Sequence, residues 1–121
     1  MKNFPIHRSI FEGKLCDVAY RVVTTDMKSL GLRNNPNIIT YPFNEWLWLP
    51  EEDITRGLGD FGGIWLARTP GVAKKYQKYM LESKHKQKTF VYESLIGNIL
   101  FCNQDRVKSD GIRMIKKLDL L

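Results

Sequence analysis

The sequence predicts a single α+β domain whose sheet is largely antiparallel. The chain has 121 residues, a length that suits one domain with its own hydrophobic core. Short stretches rich in strand-forming residues recur along the chain, and one long stretch has the periodicity of a helix. The strands and the helix do not alternate regularly, as they would in a parallel α/β sheet, so antiparallel pairing is expected.

The first half of the chain contains one clear strand and long irregular parts. Residues 16–23 are rich in β-branched and aromatic side chains, with Val18, Tyr20 and Val22 on one face and Arg21 on the other. The other expected features are a short helix at 25–30 ended by Gly31, an irregular segment at 34–44, a short strand at 46–49, a helix start at 51–53 and a glycine-rich loop at 56–63.

The second half begins with a strand that leads directly into a capped helix. Residues 64–67 are apolar and follow a pair of glycines. Thr69 is a good N-cap, and Pro70 suits the first helical position because its missing N–H would have had no partner there. We expect this helix to end near residue 82, followed by a basic connection at 83–88 and by strands at 89–95, 99–102 and 111–118.

Composition excludes several classes of protein. No apolar stretch approaches the roughly 20 residues of a membrane helix, and the first residues do not lead into the apolar part of a signal peptide. Cys16 and Cys102 stand apart from each other and from His7 and His85, so no zinc-ligand spacing is present. We therefore expect a cytoplasmic protein with free thiols, no bound metal and no membrane partner.

Charge is distributed unevenly along the chain. Residues 1–63 hold seven Lys/Arg and eight Asp/Glu, whereas residues 64–121 hold twelve Lys/Arg and five Asp/Glu. The second part therefore carries a net charge of +7, within a total of +6. A basic part of this kind favours an anionic partner, which could be a nucleotide, a nucleic acid or an acidic protein surface. A solvated face that keeps the protein soluble is the alternative.

The stretch 62–76 is a candidate small-molecule site. Its glycine pair precedes Trp65 on the predicted strand, and the helix follows at once. Glycines let a ligand approach the backbone, and the indole offers a surface on which a ring can stack. The alternative is an ordinary strand-to-helix turn with a tryptophan in the core.

Four segments in this order resemble the ADP-ribosyltransferase superfamily: Tyr-Arg-Val-Val at 20–23, Ser-Leu-Gly-Leu at 29–32, Gly-Gly-Ile-Trp-Leu-Ala-Arg-Thr-Pro-Gly-Val-Ala-Lys-Lys-Tyr at 62–76 and Phe-Val-Tyr-Glu at 90–93. Small bacterial and phage members and the RNA 2′-phosphotransferases are the most similar, and the likeness covers residues 18–95. It implies a split sheet with one main helix, NAD as the cofactor, and transfer of ADP-ribose to a macromolecular acceptor.

The resemblance also implies roles for individual residues. Arg21 falls where the family has a strand His or Arg that holds the ribose or phosphates of NAD, and a guanidinium suits that task because it donates bidentate hydrogen bonds. Trp65 falls where an aromatic residue stacks near nicotinamide. Arg68 and Thr69 follow that strand and are expected to reach a phosphate beside the helix N-terminus. The alternative for Arg21 is a surface ion pair.

The catalytic glutamate that the family carries near its C-terminus has no counterpart, because no glutamate follows Glu93. Asp110, in the turn Ser-Asp-Gly, and Asp105 are the candidates to replace it, with Glu93 as a third. A carboxylate would stabilise the oxocarbenium-like transition state of the transfer. Without one, the domain would bind NAD or a related nucleotide without catalysis. Phosphotransferase chemistry needs histidine, and neither His7 nor His85 lies on a predicted strand.

Two further function classes remain open from the residues alone. Aromatic side chains in a loop-rich segment, together with the basic part of the chain, are typical of single-stranded nucleic-acid binding. These aromatic residues are Tyr41, Phe43, Trp46 and Trp48. The third class is a small inhibitory protein that covers another protein's surface, with which the size and the charge are consistent.

Overall fold

Eight strands and one α-helix lie in the part of the chain that the computed structural model describes, which is residues 6–30, 38–59, 61–83 and 85–120. The strands are β1 His7–Phe11, β2 Lys14–Thr24, β3 Leu47–Trp48, β4 Ile64–Ala67, β5 Thr89–Ile96, β6 Ile99–Cys102, β7 Arg106–Ser109 and β8 Gly111–Leu118, and the helix α1 is Pro70–Glu82. All pairs of these strands are antiparallel. The predicted α+β class with a largely antiparallel sheet is confirmed.

The strands form one sheet in the order β3-β8-β5-β2-β4-β7-β6, and β1 pairs with the first part of β2. Pairing is extensive within each half of this sheet: β2 pairs with β5 from Val18 to Thr24, and β4 pairs with β7 along its whole length. Between β2 and β4, however, only Tyr20 and Ala67 pair. We call this junction the seam.

Helix α1 lies across the seam, because it packs against β2, β4 and β5. Its N-terminus follows the sequence prediction: the Thr69 hydroxyl accepts a hydrogen bond from the Val72 N–H at 3.2 Å, and Pro70 is the first helical residue. Ala73, Gln77 and Met80 form its buried face. The helix therefore holds together two halves of the sheet that share little backbone pairing of their own.

The two faces of the sheet bury separate hydrophobic clusters. Tyr20 and Val22 belong to the cluster beneath α1, whereas Ala19 and Val23 belong to the larger cluster on the other side. This confirms the alternation predicted for β2. Each fully buried aliphatic side chain contributes about 1.5–3 kcal/mol of transfer free energy, so both faces stabilise the sheet.

The prediction of a helix at 25–30 is wrong for these residues. Gly31, where the helix was expected to end, and residues 34–37 of the predicted irregular segment lie outside the described residues. Residues 25–30 form a turn in which Met27 has a φ of 68°, and Lys28 makes an isolated bridge with Thr40. The Thr24 hydroxyl donates a short hydrogen bond to the Asp26 carboxylate. Such local side-chain bonds compete with helix formation.

The number of predicted strands was too low, because β1 and β7 were missed. Both are rich in charged or polar residues, and His7 lies on β1 rather than in a loop. Each is held by its neighbours: β1 forms a hairpin with β2, and β7 lies between β4 and β6. Their strand structure therefore depends on pairing rather than on local propensity.

Asp26 provides a pH-dependent contribution to stability. The hydrogen bond from Thr24 lowers the pKa of the Asp26 carboxyl, and Lys28, whose Nζ lies 3.6 Å from Oδ2, acts in the same direction. A lowered folded-state pKa stabilises the fold above the unfolded value of about 3.9, and this is lost as pH falls through the folded value. We expect Asp26→Asn to melt at a lower temperature than wild type near pH 6. The gap should close toward pH 2; a gap that does not change with pH would contradict this role.

Candidate functional site

A cleft of about 860 Å³ lies along the seam. Its walls come from β2 and β4, from residues 38–41 and 47–55, and from Tyr76 of α1. The volume lies within the range of about 300–1,000 Å³ that is typical of small-molecule sites. Arg21 and Trp65, predicted as site residues from different strands, both line it.

Arg21 bridges the seam. Its Nη1 donates a hydrogen bond to the Trp65 carbonyl at 2.7 Å, and its guanidinium carbon lies 4.9 Å from the centre of the Tyr41 ring. Its Nε is buried and has no hydrogen-bond partner among the described residues. Arg21 is in no ion pair within the same ranges, so its charge is available to an anion in the cleft.

Trp65 is half-buried and carries a cation on its ring. The Arg106 guanidinium carbon lies 4.2 Å from the ring centre, and the Phe101 ring meets the indole edge at 5.9 Å. Arg106 also lines the cleft. The attraction between this guanidinium and the indole is worth about 0.5–2 kcal/mol and limits the motion of Arg106. Arg106 is not among the site residues that the sequence predicts, because only the pairing of β4 with β7 brings it to Trp65.

Lys108 fixes the glycine-rich wall of the cleft. It is completely buried, and its Nζ donates to the carbonyls of Gly57 and Gly59 at 3.1 Å each. A Cβ on Gly63 would lie 2.5 Å from Lys108 Cγ, so glycine is required where the loop crosses the lysine. Gly63 lines the cleft directly. No sequence motif singled out this lysine.

Two exposed carboxylates, Glu52 and Asp53, also line the cleft. They lie on a short 3-10 turn, Glu51–Asp53, at the position where the sequence predicts a helix start. Tyr20 lines the cleft from β2, and the pKa of its phenol is raised by burial and by the nearby negative charge of Glu93. His7 Nδ1 lies 3.4 Å from the Tyr20 hydroxyl.

The other predicted site residues do not line the cleft. Arg68 donates to the carbonyls of Asn103 and Gln104, and Thr69 caps α1. The Asp110 carboxylate accepts bonds from the backbone N–H of Asn98 at 2.7 Å and from its side-chain amide at 2.8 Å. Asp105 is exposed and lies in the turn before β7.

Local structure explains these placements, since Arg68, Thr69 and Asp110 each satisfy neighbouring groups within the fold. The catalytic roles for Asp105 and Asp110 stay predictions, but the structure does not bring either residue to Arg21 and Trp65. Glu93, the third carboxylate considered, lies opposite Tyr20 on β5 and is outside the lining of the cleft as well.

Comparison of the chain with protein families, with curated proteins and with solved structures finds no match in any of the three. Within the described ranges, no group of three or more His, Cys, Asp or Glu side chains is placed to hold a metal ion. In the same ranges no helix has the length and apolar character needed to span a membrane. The geometry of the cleft is therefore the basis for assigning a function.

Proposed function

We propose that this chain is an ADP-ribosyltransferase-like domain that binds NAD or a related nucleotide in the cleft and transfers ADP-ribose to a macromolecular acceptor. The observation that carries the proposal is that Arg21 and Trp65 both line the cleft at the seam. They are 44 residues apart in sequence and joined by the bond from Nη1 to the carbonyl. The sequence resemblance assigned these two residues to the same ligand.

The chemistry of the cleft supports an anionic ligand with aromatic parts. Arg21 and Arg106 both line the cleft, and a guanidinium binds phosphate oxygens in bidentate fashion. Both guanidinium groups lie over aromatic rings, those of Tyr41 and Trp65, and these contacts limit their motion. A pre-oriented cation loses less entropy when it binds.

The carboxylates of the cleft suit the transfer step. In that step the bond between nicotinamide nitrogen and ribose C1′ breaks, nicotinamide leaves with the electron pair, and the acceptor attacks C1′ and loses a proton. Glu52 and Asp53 line the cleft, so we assign the stabilisation of the developing positive charge to one of them in preference to Asp105 or Asp110.

We expect NAD to stabilise the fold. At 100 times its Kd a ligand adds about 2.7 kcal/mol of stability, which for a chain of 121 residues raises Tm by about 10 °C. Trp65→Ala should weaken NAD binding about tenfold, because the variant loses the ring and the orientation of Arg106. Differential scanning fluorimetry with increasing NAD measures both effects.

Tyr79→Ala is the matched control, since Tyr79 is an exposed aromatic residue of α1 outside the lining of the cleft. It should respond to NAD as wild type does. If millimolar NAD shifts the Tm of neither wild type nor control, the nucleotide proposal is wrong.

Transfer itself is tested with a labelled NAD and the variants Glu52→Gln and Asp53→Asn, one of which should lose at least about a hundredfold in rate.

A further inference from the structure

Two tryptophans form an exposed aromatic surface at the mouth of the cleft. The rings of Trp46 and Trp48 stack with centres 4.7 Å apart and an angle of 15° between their planes. The side chains remain 40% and 53% exposed, respectively, and Trp48 also lines the cleft. We call this pair the indole rim. Large exposed aromatic surfaces of this kind mark interaction sites more often than scattered apolar residues do.

The fold builds and supports the indole rim. A Cβ on Gly97 or Gly111 would lie 2.5 or 2.4 Å from atoms of the Trp48 ring, so the ring lies on the backbone of these two glycines. Strand β3, which carries Trp48, pairs with β8, and the next residue donates its backbone N–H to the Asp110 carbonyl at 2.9 Å. The rim is therefore held in place, and little side-chain entropy is lost when a partner binds.

The charge of the segment that carries the indole rim favours a cationic partner. This segment, residues 43–53, contains four carboxylates, Glu45, Glu51, Glu52 and Asp53, and no lysine or arginine. All four are exposed, and none forms an ion pair with another described residue. Arg113, which donates to the Asn44 side chain of this segment at 3.2 Å, is itself paired with Glu12 at 3.5 Å. Glu45 and Glu51 lie outside the lining of the cleft, and their negative charge repels the phosphates of a nucleic acid, which otherwise stacks well on indoles.

We propose that the indole rim docks an arginine side chain from a basic segment of a partner protein. A guanidinium is planar, stacks on an indole face and donates to carboxylates at the same time, which an ammonium does less well. The indole rim borders the cleft and shares Trp48 with its lining, but the proposal does not require that NAD binds.

The test uses an acetylated and amidated Gly-Arg-Gly-Arg-Gly peptide added to the full chain. The chain has three tryptophans, so the indole N–H signals of Trp46, Trp48 and Trp65 can be followed separately by nuclear magnetic resonance. We expect the peptide to shift the signals of Trp46 and Trp48. A peptide with citrulline in place of arginine has nearly the same shape without the charge, and it should bind at least tenfold more weakly.

Substitutions at the indole rim and on α1 show whether the arginine peptide binds at the rim or elsewhere on the protein. Trp46→Ala and the double variant Glu45→Gln/Glu51→Gln should each weaken binding of the arginine peptide about tenfold. Tyr79→Ala, which removes an exposed aromatic residue from α1, should not change it. Binding of NAD is followed separately through the indole N–H signal of Trp65. Failure of the nucleotide proposal can therefore be distinguished from failure of the docking proposal.

Three results would overturn the docking proposal. They are equal binding of the citrulline and arginine peptides, stronger shifts of Trp46 and Trp48 by a short oligothymidylate than by the arginine peptide, and the absence of any shift at millimolar peptide. The second result would instead assign the rim to single-stranded nucleic acid.

Discussion

Replacing Lys108 by alanine is expected to lower the free energy of unfolding by about 3–5 kcal/mol. The variant loses the buried methylene groups, at about 0.8 kcal/mol each plus the cost of a cavity. It also loses two charge-assisted hydrogen bonds to the carbonyls of Gly57 and Gly59. Since small domains are stable by about 5–15 kcal/mol, this one side chain accounts for a large fraction of the total. Urea denaturation followed by circular dichroism measures the change.

Lys108→Met separates packing from hydrogen bonding, because methionine fills most of the same volume without a donor. We expect a loss intermediate between wild type and alanine, together with weaker NAD binding, since the loop that contains Gly63 forms part of the cleft wall. If the methionine variant equals wild type in both measurements, the bonds from the ammonium to the loop have no role in stability or in binding.

Replacing Arg21 by alanine is expected to weaken NAD binding about a hundredfold. A hydrogen bond to a charged group contributes about 1.5–3 kcal/mol. The Arg21 guanidinium lines the cleft and donates to the Trp65 backbone carbonyl across the seam. Arg21→Lys keeps the charge but loses the planar, bidentate geometry, so it should recover only part of the affinity. Isothermal titration calorimetry with NAD measures both variants.

Arg8→Ala is the matched control for this experiment. Arg8 forms an exposed ion pair with Asp17 on the β1–β2 hairpin, and it is not part of the cleft lining. Its removal should leave the affinity for NAD unchanged and should change stability by less than about 1 kcal/mol. An Arg21→Ala variant that binds NAD as tightly as Arg8→Ala would remove Arg21 from the proposed site.

Elements specified by neighbouring residues could be predicted from the sequence. The helix α1 is the clearest case, because Thr69 and Pro70 define its start through local hydrogen bonding and a fixed φ. Strands β5, β6 and β8 likewise have compositions that favour extended structure without help from neighbours. The glycine-rich loop before Trp65 was predicted as a loop, but the reason for its glycines, the buried Lys108, was not visible in the sequence.

Features that depend on distant pairing could not be predicted in the same way. The sequence pointed to Arg21 and Trp65 individually, and the structure brings them together. The sequence did not point to Arg106, because the proximity of Arg106 to Trp65 depends on the register between β4 and β7. The sequence makes Asp110 a candidate catalytic acid because it lies in a turn that leads into the last strand, yet Asn98, from the turn between β5 and β6, donates two hydrogen bonds to its carboxylate.

The seam between β2 and β4 determines how this domain fluctuates. Separating an ordinary strand pair breaks a ladder of backbone hydrogen bonds, whereas here a single residue pair and the Arg21 bond hold the two strands. Local opening follows the path along which the fewest contacts are lost. We therefore expect the two halves of the sheet to move relative to each other beneath α1, which would change the width of the cleft. Amide hydrogens of β2 and β4 that face the seam should accordingly exchange with deuterium sooner than those that face β5 or β7.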